Sequence, residues 1–334
     1  MAKRRLSQQQ SRRIEQGRRR RQQQGSQAGV HGGGLGPEAV GLVVAGYGHL
    51  LAVEDDQGRI HNCTARRQLP QPVAGDRVRW QVAAAGQGII VHVEPRRSEL
   101  ARRDRRGRAR ALAANVELVI VVCASRPPLN EFLIDRYLVA VVAMGVESLI
   151  VLNKVDLLSP SERSATLSRL EPFTAQGVAV VPASARTAHG MDQLLRHLRQ
   201  RTAVMVGQSG VGKSSLVSAL VPDREVAVSA LSESTGLGTH TTTNACLYHL
   251  EGGACLIDSP GVRGFEPTIS AGDLELAFPE LSSALGRCRF ADCNHTVEPG
   301  CALRQAVSEG RVDSRRFRSY LKLQEELRAG ALTS

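Results

Sequence analysis

The segment "GQSGVGKS", Gly207 to Ser214, has the residue types and spacing of a phosphate-binding loop, G-x-x-x-x-G-K-S. Its glycines let the backbone bend until N–H groups point at phosphate oxygens, and the N-terminus of the helix expected after it adds positive potential. We expect Lys213 to reach the β- and γ-phosphates and the Ser214 hydroxyl to bind Mg²⁺. The residues expected to contact the nucleotide here are Gly207, Gln208, Ser209, Gly210, Val211, Gly212, Lys213, Ser214 and Ser215.

A second motif, "NKVD", stands upstream of this loop and resembles the base-recognition motif of guanine-binding GTPases. By that resemblance, the Asp156 carboxylate accepts hydrogen bonds from two adjacent guanine N–H groups, a donor pair that adenine lacks. A site that demands such pairing rejects analogues strongly, because a mismatch leaves buried polar groups without partners. Asn153 is expected to support the loop and the base. The stem of Lys154 is expected to lie over the ring, with Val155 in the same segment.

Two shorter segments extend this resemblance. Ser184 and Ala185, in "PASART", match the Ser-Ala loop that supports guanine O6 in GTPases, although Arg186 stands where Lys is common. The segment "CLIDSPG" ends a strand-like run in Asp-x-x-Gly, so Asp258 would hold Mg²⁺ through water and the Gly261 amide would contact the γ-phosphate. We therefore expect the chain to bind GTP or GDP together with Mg²⁺.

The polar, Gly-rich segment "TGLGTHTTTN" lies between the phosphate loop and Asp-x-x-Gly. One of Thr241, Thr242 and Thr243 is expected to complete the Mg²⁺ shell, and the sequence does not choose among them. Many GTPases place a water-orienting Gln directly after the Asp-x-x-Gly glycine, but this chain has Val262 there. His240 is the nearest substitute, although a lone histidine in a loop is more often only solvated.

A cysteine-histidine cluster indicates a different chemistry. Its spacing is C-x₄-C-x-H-x₅-C, and its members are Cys288, Cys293, His295 and Cys301. Three thiolates and one imidazole form a closed tetrahedral set, so one structural Zn²⁺ is expected and catalysis by that metal is not. The alternative is three buried thiols and a surface histidine, but the polar, Gly- and Pro-bearing sequence offers little core. The remaining cysteines are expected to be buried thiols: Cys63, Cys123, Cys246 and Cys255.

The positive charge of the chain is concentrated in two segments. The 334 residues carry a net charge of +11, of which residues 1–37 hold +8 and residues 96–110 hold +6, so the rest is close to neutral. Such segments suit a polyanion, whose bound counterions are released on contact. Neither an apolar run of about 20 residues nor a secretory signal is found, so we expect no membrane partner and a cytoplasmic location.

The pattern of apolar residues predicts a multidomain chain. Short β-branched runs separated by Gly, Asp and Pro predict an N-terminal β-barrel of the OB-fold type. Alternating strand and helix patterns then predict an α/β domain with a parallel sheet, whose ligands bind at the carboxyl ends of strands. The expected divisions are a disordered basic tail at 1–37, the barrel at 38–95, an Arg-rich linker at 96–112, a central domain at 113–268 and a zinc-binding helical domain at 269–334.

The motifs occur in the order Asn-Lys-x-Asp, Ser-Ala, phosphate loop, Thr-rich loop, Asp-x-x-Gly, which is a cyclic rotation of the usual GTPase order. With the barrel-like region and the cysteine-histidine cluster, this order resembles the ribosome small-subunit-dependent GTPase A family. The resemblance implies a circularly permuted P-loop GTPase that acts late in maturation of the small (30S) ribosomal subunit and contacts 16S rRNA. It also implies that the subunit stimulates hydrolysis, that hydrolysis releases the protein, and that His240 is catalytic. We expect a monomer.

The rotation itself has a physical consequence. Domain termini lie at the surface and often close together, so a circular permutation preserves every ligand group. The segment after Gly261 then runs directly into the C-terminal domain, where it could transmit the state of the γ-phosphate. Two other functions stay open at this point. A metabolic P-loop kinase would not need Asn153 to Asp156, and an RNA-binding module that responds to nucleotide would show little turnover.

Overall fold

The computed structural model describes residues 36–84, 87–103, 108–223, 245–259 and 269–330. From Glu38 onward the chain forms one compact unit. The tail expected at residues 1–37 lies outside the described residues, apart from Gly36 and Pro37.

The first five strands form a closed barrel with the order β1-β2-β3-β5-β4, because β4 pairs back onto β1. This order, with β3 and β5 parallel and the other pairs antiparallel, confirms the expected OB-fold barrel. Val43, Leu51, Val78, Trp80 and Ile90 belong to its buried core. The strands are β1 Glu38–Tyr47, β2 Leu50–Glu54, β3 Ile60–Ala65, β4 Arg77–Ala84 and β5 Gln87–Val93.

The Arg-rich segment 96–112 is expected to be a linker, but it contains most of an antiparallel hairpin. Its strands are β6 Glu99–Arg103 and β7 Ala109–Ala114. The high arginine content suggests a solvated segment, but the small and apolar residues between the arginines form strand pairs and pack against the molecule. Leu100, Ala113 and Ala114 are fully buried, so the hairpin is anchored to the molecule at its base.

The central sheet has the order β10-β9-β8-β11-β13-β12, and every pairing except β12 with β13 is parallel. β8 is buried along its whole length, as its unbroken apolar run predicts. The carboxyl ends of the parallel strands share one edge and carry Asn153, Val206 and Asp258. The strands are β8 Leu118–Ala124, β9 Glu147–Asn153, β10 Ala179–Pro182, β11 Thr202–Val206, β12 Cys246–Leu250 and β13 Ala254–Asp258.

The helices of the central region begin and end where their capping residues predict. α1 starts after Asn130, whose side chain accepts the Leu133 N–H, and ends at Gly145 in the left-handed conformation. Ser159 forms a capping box with Glu162 at the start of α2. The helices are α1 Glu131–Met144, α2 Pro160–Ser168, α3 Glu171–Thr174, α4 Met191–Leu198 and α5 Lys213–Leu220.

The C-terminal region has its own small core, which also includes a residue of the central region. Leu274, Phe278, Leu303 and Tyr320 are buried together with Val139 of α1. The helices are α6 Ala271–Leu276, α7 Ala302–Ser308 and α8 Ser314–Arg328. Because the core crosses from α8 to α1, the C-terminal region packs directly on the central one.

Of the cysteines outside the cluster, three are buried as expected, namely Cys63, Cys123 and Cys246. Cys255 is only half-buried, because its thiol contacts the exposed ring of His249 at 3.5 Å.

Candidate nucleotide site and metal centre

The phosphate loop connects β11 to α5 and depends on three glycines. Gly207, Gly210 and Gly212 have φ values of 141°, 83° and 92°, which side-chain-bearing residues rarely adopt. A Cβ atom on Gly207 would lie 2.2 Å from the carbonyl oxygen of Val122, and one on Gly212 would lie 2.4 Å from the amide nitrogen of Asn153. The backbone of the loop is therefore packed closely against two neighbouring strand ends.

The polar side chains of this loop are placed at its outer surface. Lys213 donates from Nζ to the carbonyl oxygens of Gly207, at 2.6 Å, and of Gln208, at 2.8 Å. Ser214 is exposed in the first turn of α5. Asp258 ends β13, which pairs with β11, so its carboxylate belongs to the same sheet edge as the loop. This edge offers a cation, a hydroxyl and a carboxylate to one ligand.

The buried amide of Asn153 joins the guanine-type motif to the phosphate loop. Its Nδ2 donates to the carbonyl oxygen of Val211 at 2.9 Å. Its Oδ1 accepts the backbone N–H of Ala185 at 3.4 Å, in the Ser-Ala segment. One side chain thus holds together three motifs that are far apart in the sequence.

Lys154 has a left-handed backbone conformation, with a φ of 63°, and its side chain lies across the same loop. Its Nζ donates to the carbonyl oxygens of Arg126, at 2.9 Å, and of Gly210, at 2.5 Å. The aliphatic stem is consequently stretched beside the loop, where it offers an apolar surface to a planar ring. Val155, the next residue, is buried and anchors the motif through its N–H to the carbonyl oxygen of Ala183.

The Asp156 carboxylate is oriented by two side chains. Ser184 donates from Oγ to Oδ1 at 2.6 Å, and Arg186 donates from Nε to Oδ2 at 3.1 Å. The Ser184 bond, and then the charge of Arg186, lower the pKa of Asp156, so the group is ionised at neutral pH. Each carboxylate oxygen has about two acceptor positions. One position on each oxygen thus remains for a ligand N–H.

The cysteine-histidine cluster assembles into one compact set. The potential ligand atoms of Cys288, Cys293, His295 and Cys301 all lie within 4.8 Å of one another. The Sγ atoms of Cys288 and Cys301 are 3.9 Å apart, and His295 Nδ1 lies 3.5 Å from each of them. A tetrahedral zinc with bonds of about 2.3 Å to sulfur requires sulfur atoms ~3.8 Å apart. The donor set therefore fits Zn²⁺, with His295 ligating through Nδ1.

Comparison with known proteins identifies the family. The RsgA GTPase family model matches residues 93–268. The small ribosomal subunit biogenesis GTPase RsgA of Ectopseudomonas mendocina (strain ymp) is 46% identical over 296 residues, covering 87% of this chain and 86% of that protein. The chain belongs to the RsgA GTPase family. The protein of the same description from Pseudomonas aeruginosa (strain LESB58) is 46% identical over 292 residues, with the same coverage.

Solved structures agree with this RsgA assignment. The crystal structure of YjeQ from Thermotoga maritima superposes with a TM-score of 0.69 at 30% identity, covering 87% of this chain and 99% of that one. YloQ, described as a circularly permuted GTPase, gives a TM-score of 0.66 at 25% identity and covers 88% of this chain and 96% of that one. The expected family and fold class are confirmed: an OB-type barrel, a circularly permuted GTPase domain and a C-terminal segment with a possible zinc site.

As a member of the RsgA family, the chain is a GTPase, and the family implies a guanine nucleotide and Mg²⁺. The residues brought together at the sheet edge fit both. Bound there, Mg²⁺ would neutralise phosphate charge, and Ser214 and Asp258 are the described side chains placed to hold it. Within the described ranges, no helix is long and apolar enough to cross a membrane.

Several expected site residues lie outside the described residues. They are His240, Thr241, Thr242, Thr243 and Gly261. Their roles stay predictions from the sequence. Every other expected nucleotide contact, from Asn153 to Asp258, lies at the carboxyl edge of the central sheet, in a segment that directly follows it, or in the first turn of α5.

Sequence reasoning missed two residues that organise these sites. Tyr137 of α1 is buried and lines a small cavity together with Gly207 of the phosphate loop. Glu298 accepts the backbone N–H groups of Asn294, Thr296 and Val297, which shapes the turn around His295. The backbone N–H of Glu298 itself, and then these backbone bonds, lower the pKa of Glu298 to about 2. The Glu-Pro-Gly turn before Cys301 was the only available signal for Glu298, and an apolar-faced helix gave none for Tyr137.

Proposed function

We propose that this GTPase acts in late maturation of the small (30S) ribosomal subunit, in the cytoplasm and as a monomer. The subunit stimulates hydrolysis, and hydrolysis drives release of the protein. The relatives are described as small ribosomal subunit biogenesis GTPases, which supports the choice of partner. The main support for a guanine-nucleotide site is the hydrogen bond from the Asn153 side-chain amide to the Val211 carbonyl oxygen, at 2.9 Å. It joins the guanine-type motif to the phosphate loop.

The base is recognised by the guanine-type motif. Asp156 accepts N1–H and one N2–H of guanine through the positions left open beside Ser184 and Arg186. The Ala185 segment borders guanine O6, and the stem of Lys154 covers one face of the ring. Adenine offers an acceptor at N1 and no 2-amino group, so it would leave the ionised carboxylate without donors.

The phosphates are bound by residues 207–215. Lys213 exchanges its two carbonyl partners for the β- and γ-phosphate oxygens, which are stronger acceptors for an ammonium group. Ser214 and Asp258 hold Mg²⁺ with one of Thr241, Thr242 and Thr243. From the sequence, the Gly261 amide contacts the γ-phosphate and His240 positions the attacking water.

The other regions engage RNA or support that engagement. The barrel at 38–95, the Arg-rich segment at 96–112 and the zinc-binding domain at 269–334 contact 16S rRNA around the GTPase domain at 113–268, with the basic tail at 1–37 adding charge. The phosphate backbone favours such basic surfaces. Zn²⁺ on Cys288, Cys293, His295 and Cys301 stabilises its segment and takes no part in hydrolysis.

The decisive experiment compares the hydrolysis of GTP and ATP by the pure protein, alone and with purified small subunits. We expect GTP-specific turnover that is slow alone and increases on addition of the subunits. His240→Ala should abolish the stimulated rate and leave GTP binding intact. Equal rates with both nucleotides would contradict the guanine site. A GTP hydrolysis rate that does not increase when subunits are added would instead favour an RNA-binding module with little turnover.

A further inference from the structure

Helix α1 is covered by protein on two opposite sides. Ile134, Tyr137, Leu138 and Val141 form one side, packed into the core of the central sheet. The other side presents Val139, which is buried in the core of the C-terminal region, with Phe132, Val142 and Ala143 packed against that core. These spacings place the two sets on different faces of one helix. α1 is therefore the element that both regions share.

The central side of α1 borders the phosphate loop through one tyrosine. The phenol of Tyr137 is buried and lies near the backbone of Gly207, the first glycine of the loop. Tyr137 and Gly207 also line the same small cavity, with Gln208 and Val211 on its wall. A Cβ at Gly207 would lie 2.2 Å from the carbonyl oxygen of Val122, so the loop is also packed closely against β8. Tyr137 and the end of β8 thus both border the first residue of the loop.

The outer side of α1 carries a buried carboxylate with two arginine partners from α8. Asp135 is fully buried and accepts bonds from Arg316 and, at 2.8 Å, from Arg315. Arg316 is itself 1% exposed and also donates to Glu280 at 2.8 Å and to Gln176 at 2.7 Å. Asp313, which is more exposed, also lies 3.8 Å from Arg315, so three carboxylates face the two guanidinium groups.

A buried ion cluster of this kind is a weak source of stability compared with apolar packing, because of its desolvation cost. Its geometry is nevertheless specific, since the guanidinium of Arg316 lies 4.1 Å from the ring of Phe278 and bonds four groups around it. The cluster therefore determines how α8 sits on α1. Asp135 and Tyr137 are two residues apart on the helix, so a shift of one displaces the other.

We propose that Tyr137 is a positioning residue of the phosphate loop, and that α1 couples nucleotide binding there to the seating of α8 through Asp135. This inference rests on the proposed nucleotide site. It differs from transmission through the segment after Gly261, because every contact that it uses lies in the described part of the chain. By linkage, an effect of nucleotide on α8 requires an equal effect of α8 on nucleotide affinity.

The test compares the full-length wild type with Tyr137→Phe, which removes only the hydroxyl. Tyr248→Phe is the matched control, because Tyr248 is a buried tyrosine that belongs to β12 and not to α1. Hydrogen–deuterium exchange of residues 314–328 is measured without nucleotide and with a non-hydrolysable GTP analogue. We expect the analogue to slow exchange about fivefold in the wild type and in Tyr248→Phe, and to have no effect in Tyr137→Phe.

The reciprocal effect is measured by calorimetry with Arg315→Gln, which removes one of the two arginine partners and leaves Arg316 to compensate Asp135. Arg315→Gln should weaken binding of the analogue several-fold. The same substitution in a Tyr137→Phe background should have no further effect, because the connection is already broken. Metal content, measured for every variant, should equal that of the wild type.

The outcomes separate this inference from the proposed function. If the wild type binds no guanine nucleotide, the proposed function fails and this inference fails with it. If it binds GTP analogue normally, three results overturn the inference alone: no change in α8 exchange on binding, an unchanged response in Tyr137→Phe, or additive effects in the double variant.

Discussion

Asp156 owes its proposed selectivity for guanine to the direction of its hydrogen bonds. An ionised carboxylate only accepts, and its low pKa keeps it ionised over the physiological range. The neighbours that lower this pKa, Ser184 and Arg186, also fix the plane of the carboxylate. The same two donors therefore decide both the charge and the orientation of the group that faces the base.

Asp156→Asn should exchange the preferred base. An amide can donate to the C2 carbonyl of xanthine and accept from its N1–H, whereas with guanine its NH₂ group faces another donor. The loss of two bonds to a charged group, each worth about 1.5–3 kcal/mol, should weaken GTP binding on the order of 10²–10⁴-fold. Calorimetry with GDP and XDP measures this.

The matched control is Asp192→Asn, an exposed aspartate in the first turn of α4. It should bind GDP like the wild type. A variant Asp156→Asn that still prefers GDP to XDP would show that this carboxylate does not contact the base.

At this scale the sequence predicts chemistry better than contacts. Gly207, Lys213 and Asn153 could be predicted because their roles require those residue types at fixed spacings. The bond from Lys154 to the Gly210 carbonyl could not, since any backbone carbonyl is an equivalent acceptor. Tyr137 was missed because a tyrosine on an apolar helix face indicates only burial.

Among the elements, the turn containing the cysteine-histidine cluster depends most on its proposed ligand. Residues 286–301 contain only short turns, and what these turns bring together is the set of four potential metal ligands. A segment with few apolar groups gains its folding free energy from the metal. Glu298 adds three backbone bonds but contributes no ligand atom.

Cys301→Ser should therefore lower both the zinc content and the stability of the C-terminal region. A hydroxyl is a poor ligand for Zn²⁺, so we expect metal content to fall from one zinc per chain to well below that. Loss of a structural metal costs more than about 4 kcal/mol, which should appear as a separate early unfolding step of the C-terminal core. Metal analysis and calorimetric melting measure the two effects.

Cys63→Ser provides the comparison, because Cys63 is a buried thiol of the barrel. It should destabilise the barrel but retain the zinc. If Cys301→Ser keeps a full complement of metal, the cluster is not the zinc site.

Elements were predictable where one pattern dominated and were missed where two competed. The unbroken apolar run of β8 and the capping box of α2 each indicate one structure, and both are present. The hairpin of β6 and β7 was missed because its arginines outweigh its small residues in composition, although strand pairing needs only the alternating Leu and Ala. The packing of α8 on α1 joins residues almost two hundred positions apart, which no local pattern encodes.

For the whole molecule, the contact of the barrel with the central sheet includes a histidine-carboxylate pair. His249 of β12 faces Glu54 of β2, with Nε2 and Oε2 2.6 Å apart. The Cys255 thiol and then Glu54 raise the pKa of His249 to about 9 from an ordinary value of 6.5. Since the folded state has the higher pKa, the stabilisation is complete below pH 6.5 and is lost as pH rises through 9.

His249→Gln should therefore be less stable than the wild type at about pH 6 and equally stable at about pH 10. The histidine side chain is 55% exposed, so screening limits the difference to about 1 kcal/mol. Urea unfolding at several pH values measures it. In a Glu54→Gln background the difference should shrink, and a difference that grows with pH would contradict the assignment of the charged pair.

A second contact of the barrel is an arginine that pairs with a buried carboxylate. Arg96 donates from Nε and Nη2 to the fully buried carboxylate of Asp76, both at 2.8 Å, and from Nη2 to the carbonyl oxygen of Gln71. It also donates to Glu99 at the start of β6 at 2.6 Å. Arg96 thus joins the loop between β3 and β4 to the hairpin that follows the barrel, at the point where the chain leaves the barrel.

Arg96→Met should release the barrel from this position, because it leaves the Asp76 carboxylate buried without its charged partner. Removing one member of a buried pair costs about 3–5 kcal/mol.

Arg97→Met is the control one residue away: Arg97 is 72% exposed and lies 3.5 Å from Glu117, so its loss should cost less than about 1 kcal/mol. Trp80 is the sole tryptophan and lies in the barrel core, so its fluorescence during urea unfolding reports on the barrel alone. Equal midpoints for the two variants would mean that the barrel is held by its strand contacts and not by this pair.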